Sequence, residues 1–291
     1  MERPRVLIIG ARGFVGTYAA EALSAKAEVV PGDRDNAGPG GVVIDIRDEA
    51  SVNNAFGSSR PDAVLLFAAI SNIDRCEAQP EEAFTVNVRG PEHVATACAR
   101  RGIRLVFTST GAVYDGKRQG YAEDDAVSPV SVYGETKVQA EGIVRALVPT
   151  AAIVRLSLVL GWARRQGTNS MLSGIAARWK AGSPVLFPVS EVRNPVHPAA
   201  VAEAMTALLI EHREAQGIYH SGASDAMTRY EIGCRLAAKA GVSADLVKAQ
   251  TEPTPGRAPR GEHHFLLPWK LQRLLGIEAQ TCEQVIEKCF V

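Results

Sequence analysis

Arg5-Val-Leu-Ile-Ile-Gly10-Ala-Arg-Gly13-Phe-Val-Gly16 is the stretch on which the fold of this chain turns. Its first half is a short, β-branched apolar run without polar alternation. That is the pattern of a parallel strand buried on both faces. Its second half spaces three glycines as G-x-x-G-x-x-G, and residues 14–25 then follow helical spacing. A strand that turns through glycines straight into a helix leaves the first N–H groups of that helix free, at the positive end of its dipole. Gly10 permits the sharp turn, Gly13 lets the backbone approach a pyrophosphate, and Gly16 lets helix and strand pack closely. Arg12, Phe14 and Val15 fill the loop between them. Glycine spacing alone is weak evidence, but in this strand–turn–helix context it predicts a dinucleotide site.

Working outward, further strands are predicted at 28–30, 42–44, 63–69, 104–108 and 152–156, with helices over 80–100 and 133–147. The unbroken apolar run from Ala63 suggests a central strand. Strands alternating with helices imply right-handed crossovers and an α/β, Rossmann-type doubly wound parallel sheet. Beyond residue 160 the pattern weakens. Helices are predicted over 171–181, 195–212 and 230–240, a short strand over 184–188, and a proline-rich structured loop over 251–259. The expected division is a cofactor-binding domain over 1–160, with returning segments near 190–220. A smaller C-terminal α/β substrate-binding region takes most of 161–291.

Composition narrows the function. Of 291 residues, 32 are Lys or Arg and 32 are Asp or Glu, so no net charge favours a nucleic-acid partner. With 46% hydrophobic and 22% charged residues the chain is not a disordered one. The five cysteines contain no Cys-x-x-Cys, so reduced thiols and no metal site are expected. The longest apolar run, Ala63–Ile70, is far short of the ~20 residues of a membrane helix. Strand-like sequence at Arg5 leaves no room for a leader peptide. A cytoplasmic protein is expected, with a homodimer compatible with its helix-rich surfaces.

Several side chains then acquire candidate roles. Asp33 follows the second strand, 23 residues after Gly10, where an acid can accept hydrogen bonds from an adenosine ribose and favours NAD. Arg12 and Arg34 suit the 2′-phosphate of NADP equally well, or are solvated surface charges, so the choice of NAD or NADP stays open. Asp45-Ile46 ends the third strand, either at the adenine or in a plain turn. Tyr133-Gly-Glu-Thr-Lys137 opens a helix, and residues four apart share a face. A phenol beside a cation is a candidate general acid or base at a carbonyl carbon. Thr108-Ser109-Thr110 closes the fifth strand, at the carboxyl edge where doubly wound sheets bind ligands. The plain alternative for these hydroxyls is strand-end capping. Asn87, on the preceding helix, is placed to order groups near Lys137.

These residues resemble the extended short-chain dehydrogenases/reductases. The resemblance rests on Gly10–Gly16, on Val86-Asn87-Val-Arg-Gly90, and on Ser109-Thr110-Gly-Ala-Val-Tyr-Asp115-Gly116 followed by Tyr133–Lys137. Within that superfamily the chain is most similar to the dTDP-4-dehydrorhamnose reductases. Asp74-Arg-Cys-Glu77, Gly217-Ile-Tyr-His220, and Lys270-Leu271 before Leu275-Gly276 carry that likeness. It implies reduction of a keto-deoxysugar nucleotide by NADH or NADPH. Tyr133 would donate the proton, Lys137 would hold the nicotinamide ribose and keep the tyrosine pKa down, and Thr110 (or Ser109) would bind the reacting oxygen. It places Phe67-Ala68-Ala69 and Asn87 at the cofactor. Ser71, Gly111, Ala112, Trp162 and Asn169 fall in the sugar pocket, with Arg193, Arg257 and Arg260 on a diphosphate. Gly111-Ala112 stands where the reductases carry Asp-Tyr, so the identity of the sugar is left open. Alternatives are an epimerase, a reductase of a non-nucleotide carbonyl compound, or a non-catalytic module like the methionine adenosyltransferase beta subunit.

Overall fold

A computed structural model describes residues 3–291. The sheet is built from β1 (Arg5–Ile9), β2 (Glu28–Asp33), β3 (Val42–Val43), β4 (Ala63–Leu66), β5 (Arg104–Thr110) and β6 (Ala152–Leu156), with the strand Gly217–Ser221 at one edge. The order is β3-β2-β1-β4-β5-β6 followed by Gly217–Ser221, and every pairing is parallel. β4 occupies the centre and all four of its residues are buried, as its apolar run predicts. Between β1 and β4 the chain direction of the winding reverses, so their carboxyl ends open a crevice.

Two apolar layers cover the sheet. Helices Phe14–Ser24 and Pro198–Ile210 pack one face through Tyr18, Leu23, Val201, Met205 and Leu208. Helices Glu49–Ser59, Gly90–Arg101 and Val132–Leu147 pack the other through Phe56, Val94, Ala140 and Val144. A third cluster, including Leu172, Trp179, Phe187 and Leu236, lies beyond the sheet's carboxyl edge. Residues 198–221 return to the sheet as a covering helix and the edge strand.

Several elements depart from the sequence reading. The helix expected over 80–100 is broken into Pro80–Phe84, a π-helical turn Thr85–Arg89 and Gly90–Arg101. Asn87 is drawn inward there, and Gly90 lies where a Cβ would stand 2.5 Å from Ile46. Glu49–Ser59 is a helix with an Asp48 cap, although Ser51-Val-Asn-Asn54 are poor helix formers. Helices Trp269–Leu275 and Cys282–Lys288 were also not predicted; each is only seven residues long. A capping box of Thr281 with Gln284 was the one available signal for the second.

Candidate active site

A cleft of about 1120 Å³ runs along the carboxyl ends of the strands. Its cofactor end is built by the glycine loop. Gly10 has φ +89°, and a Cβ there would lie 2.8 Å from the Ala68 nitrogen. A Cβ on Gly16 would lie 2.1 Å from the Gly10 oxygen. Glycine is therefore obligatory at both, and the helix Phe14–Ser24 presents its N-terminus without a side-chain cap. Asp33, ending β2, accepts the Arg12 N–H at 3.2 Å and the Arg34 N–H at 2.9 Å. Gly13, Phe14, Val15, Asp45, Ile46, Phe67, Ala68 and Ala69 join it in lining this end. Arg34 is paired with Asp35 at 3.0 Å and Asp45 with Arg47 at 2.5 Å, so the adenosine end carries both signs of charge. Cradle, free N–H groups and acid together fit a dinucleotide.

The middle of the cleft is formed where β5 ends and the helix Val132–Leu147 begins. Ser131 caps that helix through the Gly134 N–H, which fixes Tyr133 and Lys137 one turn apart. Tyr133 is 9% exposed, and burial pushes its phenol up to about 12, with the Thr110 hydroxyl pulling the other way. Lys137 is 2% exposed; its Nζ donates to the Thr108 carbonyl at 2.8 Å and sits 4.0 Å from the Phe107 ring centre. Burial pulls its ammonium down to about 7, opposed only by Glu141. The sequence reading had Lys137 lowering the tyrosine pKa. Here burial of the phenol dominates, and the Lys137 ammonium is turned onto the strand carbonyl. Thr110 Oγ1 accepts the Ala112 N–H at 3.2 Å. Ser109 Oγ is buried in the same wall without a partner.

The other end is lined by Ser71, Gly111, Ala112, Asn169, Arg193 and Arg260. Asn169 Nδ2 donates to Ser71 Oγ at 3.1 Å, spanning the cleft. Arg260 makes two bonds to Asp74, at 3.0 and 2.8 Å, and Asp74 also accepts the Ala258 N–H at 2.8 Å. The segment around residues 258–260 is thus strapped to the helix Ile73–Ala78.

Three predicted residues lie outside the cleft wall. Asn87 is fully buried; it accepts the Ile70 N–H at 2.8 Å and donates to the Ile70 carbonyl at 3.0 Å and to Thr136 at 3.3 Å. It braces the wall from behind and does not line the cleft. Trp162 packs on Phe290, with its indole N–H spent on the Cys289 carbonyl. Arg257 is bound to Glu191 at 2.5 Å. Arg193 does reach the wall, but its donors are committed to the Val192, Glu262 and Gly261 carbonyls and to Glu191. Wall residues that the sequence did not reveal include Arg75, Ser157, Met171 and Arg229. Ser157 lies in a loop and Arg75 in a six-residue helix, whereas Met171 and Arg229 open longer helices whose periodicity does not show which first-turn side chain meets a cleft. Among the described residues no cluster could hold a metal ion, and all five cysteines are free.

Comparison with known proteins agrees with this fold. The family model described as the RmlD substrate binding domain matches residues 4–291. The chain belongs to that family. Among its relatives is a dTDP-4-dehydrorhamnose reductase of Aggregatibacter actinomycetemcomitans, 26% identical over 97% of each chain. Methionine adenosyltransferase 2 subunit beta of Xenopus laevis is 27% identical over 95% of this chain and 84% of that one. A Bacillus anthracis dTDP-4-dehydrorhamnose reductase, solved in complex with NADP, superposes with a TM-score of 0.87 at 24% identity. That match covers 100% of this chain and 98% of the other, and it shows a shared fold.

Proposed function

We propose that this chain is an NAD(P)H-dependent reductase of a nucleotide-linked keto-deoxysugar. The observation that carries the reading is the meeting of Thr110 with the buried Tyr133 and Lys137 in one cleft with the glycine cradle. When bound, the reduced nicotinamide supplies the hydride. The chain's own residues do the rest. The glycine loop and Asp33 hold and orient the dinucleotide. Tyr133, whose phenol carries its proton at neutral pH, lines the cleft where it can give that proton to the carbonyl oxygen that becomes an alcohol. Thr110 presents a hydroxyl to the same oxygen, and the apolar packing around Tyr133 excludes water. Among the described residues no helix is long and apolar enough to cross a membrane, and the free thiols suit a reducing compartment. We therefore place the enzyme in the cytoplasm.

The likeness to the methionine adenosyltransferase subunit supports a second reading, in which the chain binds a dinucleotide while serving a partner. The two are separated by mixing the protein with NADPH or NADH and a panel of dTDP-keto-sugars, following loss of reduced-cofactor absorbance. The reductase turns over, and Tyr133→Phe lowers kcat by roughly 10²–10⁴. Turnover unaffected by Tyr133→Phe removes the acid role, and no turnover with any keto-sugar favours the binding module.

A further inference from the structure

The substrate end of the cleft holds a charge imbalance that the reduction itself does not use. Glu191 is 5% exposed and meets three guanidiniums: Arg257 at 2.5 Å, Arg193 at 3.3 Å and Arg229 at 3.4 Å. Nearby charges do not restore the balance. Arg260 is matched by Asp74, the Glu231 carboxylate is turned onto its own helix cap at Thr228, and burial keeps His264 neutral.

The three arginines differ in how their donors are used. Arg193 is saturated by three backbone carbonyls and Glu191, and Arg257 lies behind the wall. Arg229 is poorly satisfied. Its Nε is buried without a partner, its Nη1 makes only the long contact to Glu191, and its Nη2 faces the Met171 sulfur at 3.0 Å. A thioether is a weak acceptor. Arg229 also opens the helix Arg229–Ala240, at the positive end of the dipole, where a cation is least favoured. The fold nevertheless holds it there. Strand Met227–Thr228 pairs antiparallel with Val192–Arg193, and the Arg229 N–H donates to the Glu191 carbonyl at 2.8 Å. That register sets the two side chains beside each other on the cleft wall.

We propose that Arg229 is a substrate-recognition residue for an anionic phosphoryl oxygen of the nucleotide diphosphate, and that Glu191 is the positioning residue that holds its guanidinium at the wall. This rests on the nucleotide-sugar reading above and extends it to a named residue. A phosphoryl oxygen supplies what the sulfur and the long carboxylate contact do not: short, charge-assisted acceptors for a cation whose side chain is mostly withdrawn from water.

The test is calorimetric titration of dTDP into protein saturated with NADPH, so that the cofactor end is blocked. NADPH itself is titrated separately. Arg229→Gln weakens dTDP by about tenfold or more, the loss of at least one charge-assisted hydrogen bond, and leaves NADPH within about twofold. Arg229→Lys recovers part of the affinity, because the charge remains but the fork does not. Glu191→Gln weakens dTDP less, and combined with Arg229→Gln it adds nothing. Equal dTDP affinity in wild type and Arg229→Gln overturns the proposal, as does an equal loss for NADPH. Failure of dTDP to bind the wild type overturns it while leaving carbonyl reduction intact. Arg229-dependent dTDP binding without keto-sugar turnover supports the site and counts against the reductase reading.

Discussion

Lys137→Met should make the ligand-free protein more stable at neutral pH and should do so in a pH-dependent way. The ammonium is 2% exposed, and its pKa falls from 10.5 to about 7. In the unfolded chain the group regains an ordinary lysine pKa. Between pH 7 and 10 the unfolded state therefore binds more protons than the folded one, so wild-type stability rises with pH across that window. At about 1.36 kcal/mol per unit, the cost at pH 7 is roughly 4–5 kcal/mol. Methionine has similar length and no charge. It gives up the hydrogen bond to Thr108 and the contact over Phe107, together about 1–2 kcal/mol. A net gain of about 2–4 kcal/mol at pH 7 follows, shrinking and then reversing in sign as pH approaches 10. Urea unfolding of both proteins at intervals from pH 7 to 10 measures it. A Lys137→Met protein that is less stable at pH 7, or a difference that does not change with pH, would refute the reasoning. The same substitution removes the group assigned to the nicotinamide ribose, so stability and function oppose each other at this residue.

The remaining predictions are direct. Gly16→Ala drives a methyl group to 2.1 Å from the Gly10 oxygen. It should cost about 2–3 kcal/mol in thermal or urea unfolding and abolish NADPH binding measured by fluorescence titration. Asp33→Ala should weaken NADH more than NADPH in the same titration; an equal effect takes Asp33 off the ribose. Glu141→Gln leaves Arg155 buried without the carboxylate it now meets at 2.6 and 3.0 Å. It should destabilise by about 3–5 kcal/mol, and the double change Glu141→Leu with Arg155→Met should recover most of that loss.

The sequence alone determined six of the seven strands of the sheet and the residues from which the candidate site is built. β1 with its glycine loop, the central β4, β5, β6 and the helix carrying Tyr133 and Lys137 were all legible. In each, local pattern and tertiary environment demand the same residues: apolar runs for buried parallel strands, glycine where a Cβ has no room, and a four-residue spacing for one helix face. What lacked that agreement was decided only by the tertiary structure. The strand Gly217–Ser221 carries His220 and Ser221 into the core and offers no apolar run. Asn87 faces Ile70 and Thr136 because a π-helical turn rotates it inward, which spacing cannot show. The direction of the tyrosine shift was also out of reach. The sequence places a cation four residues away, but only the fold shows it engaged with Thr108 and the phenol desolvated. Arg229 makes the same point most sharply. In sequence it is one arginine among many. It becomes conspicuous only when strand pairing sets it beside Glu191, because the energy of a buried charge depends on neighbours that arrive from distant parts of the chain.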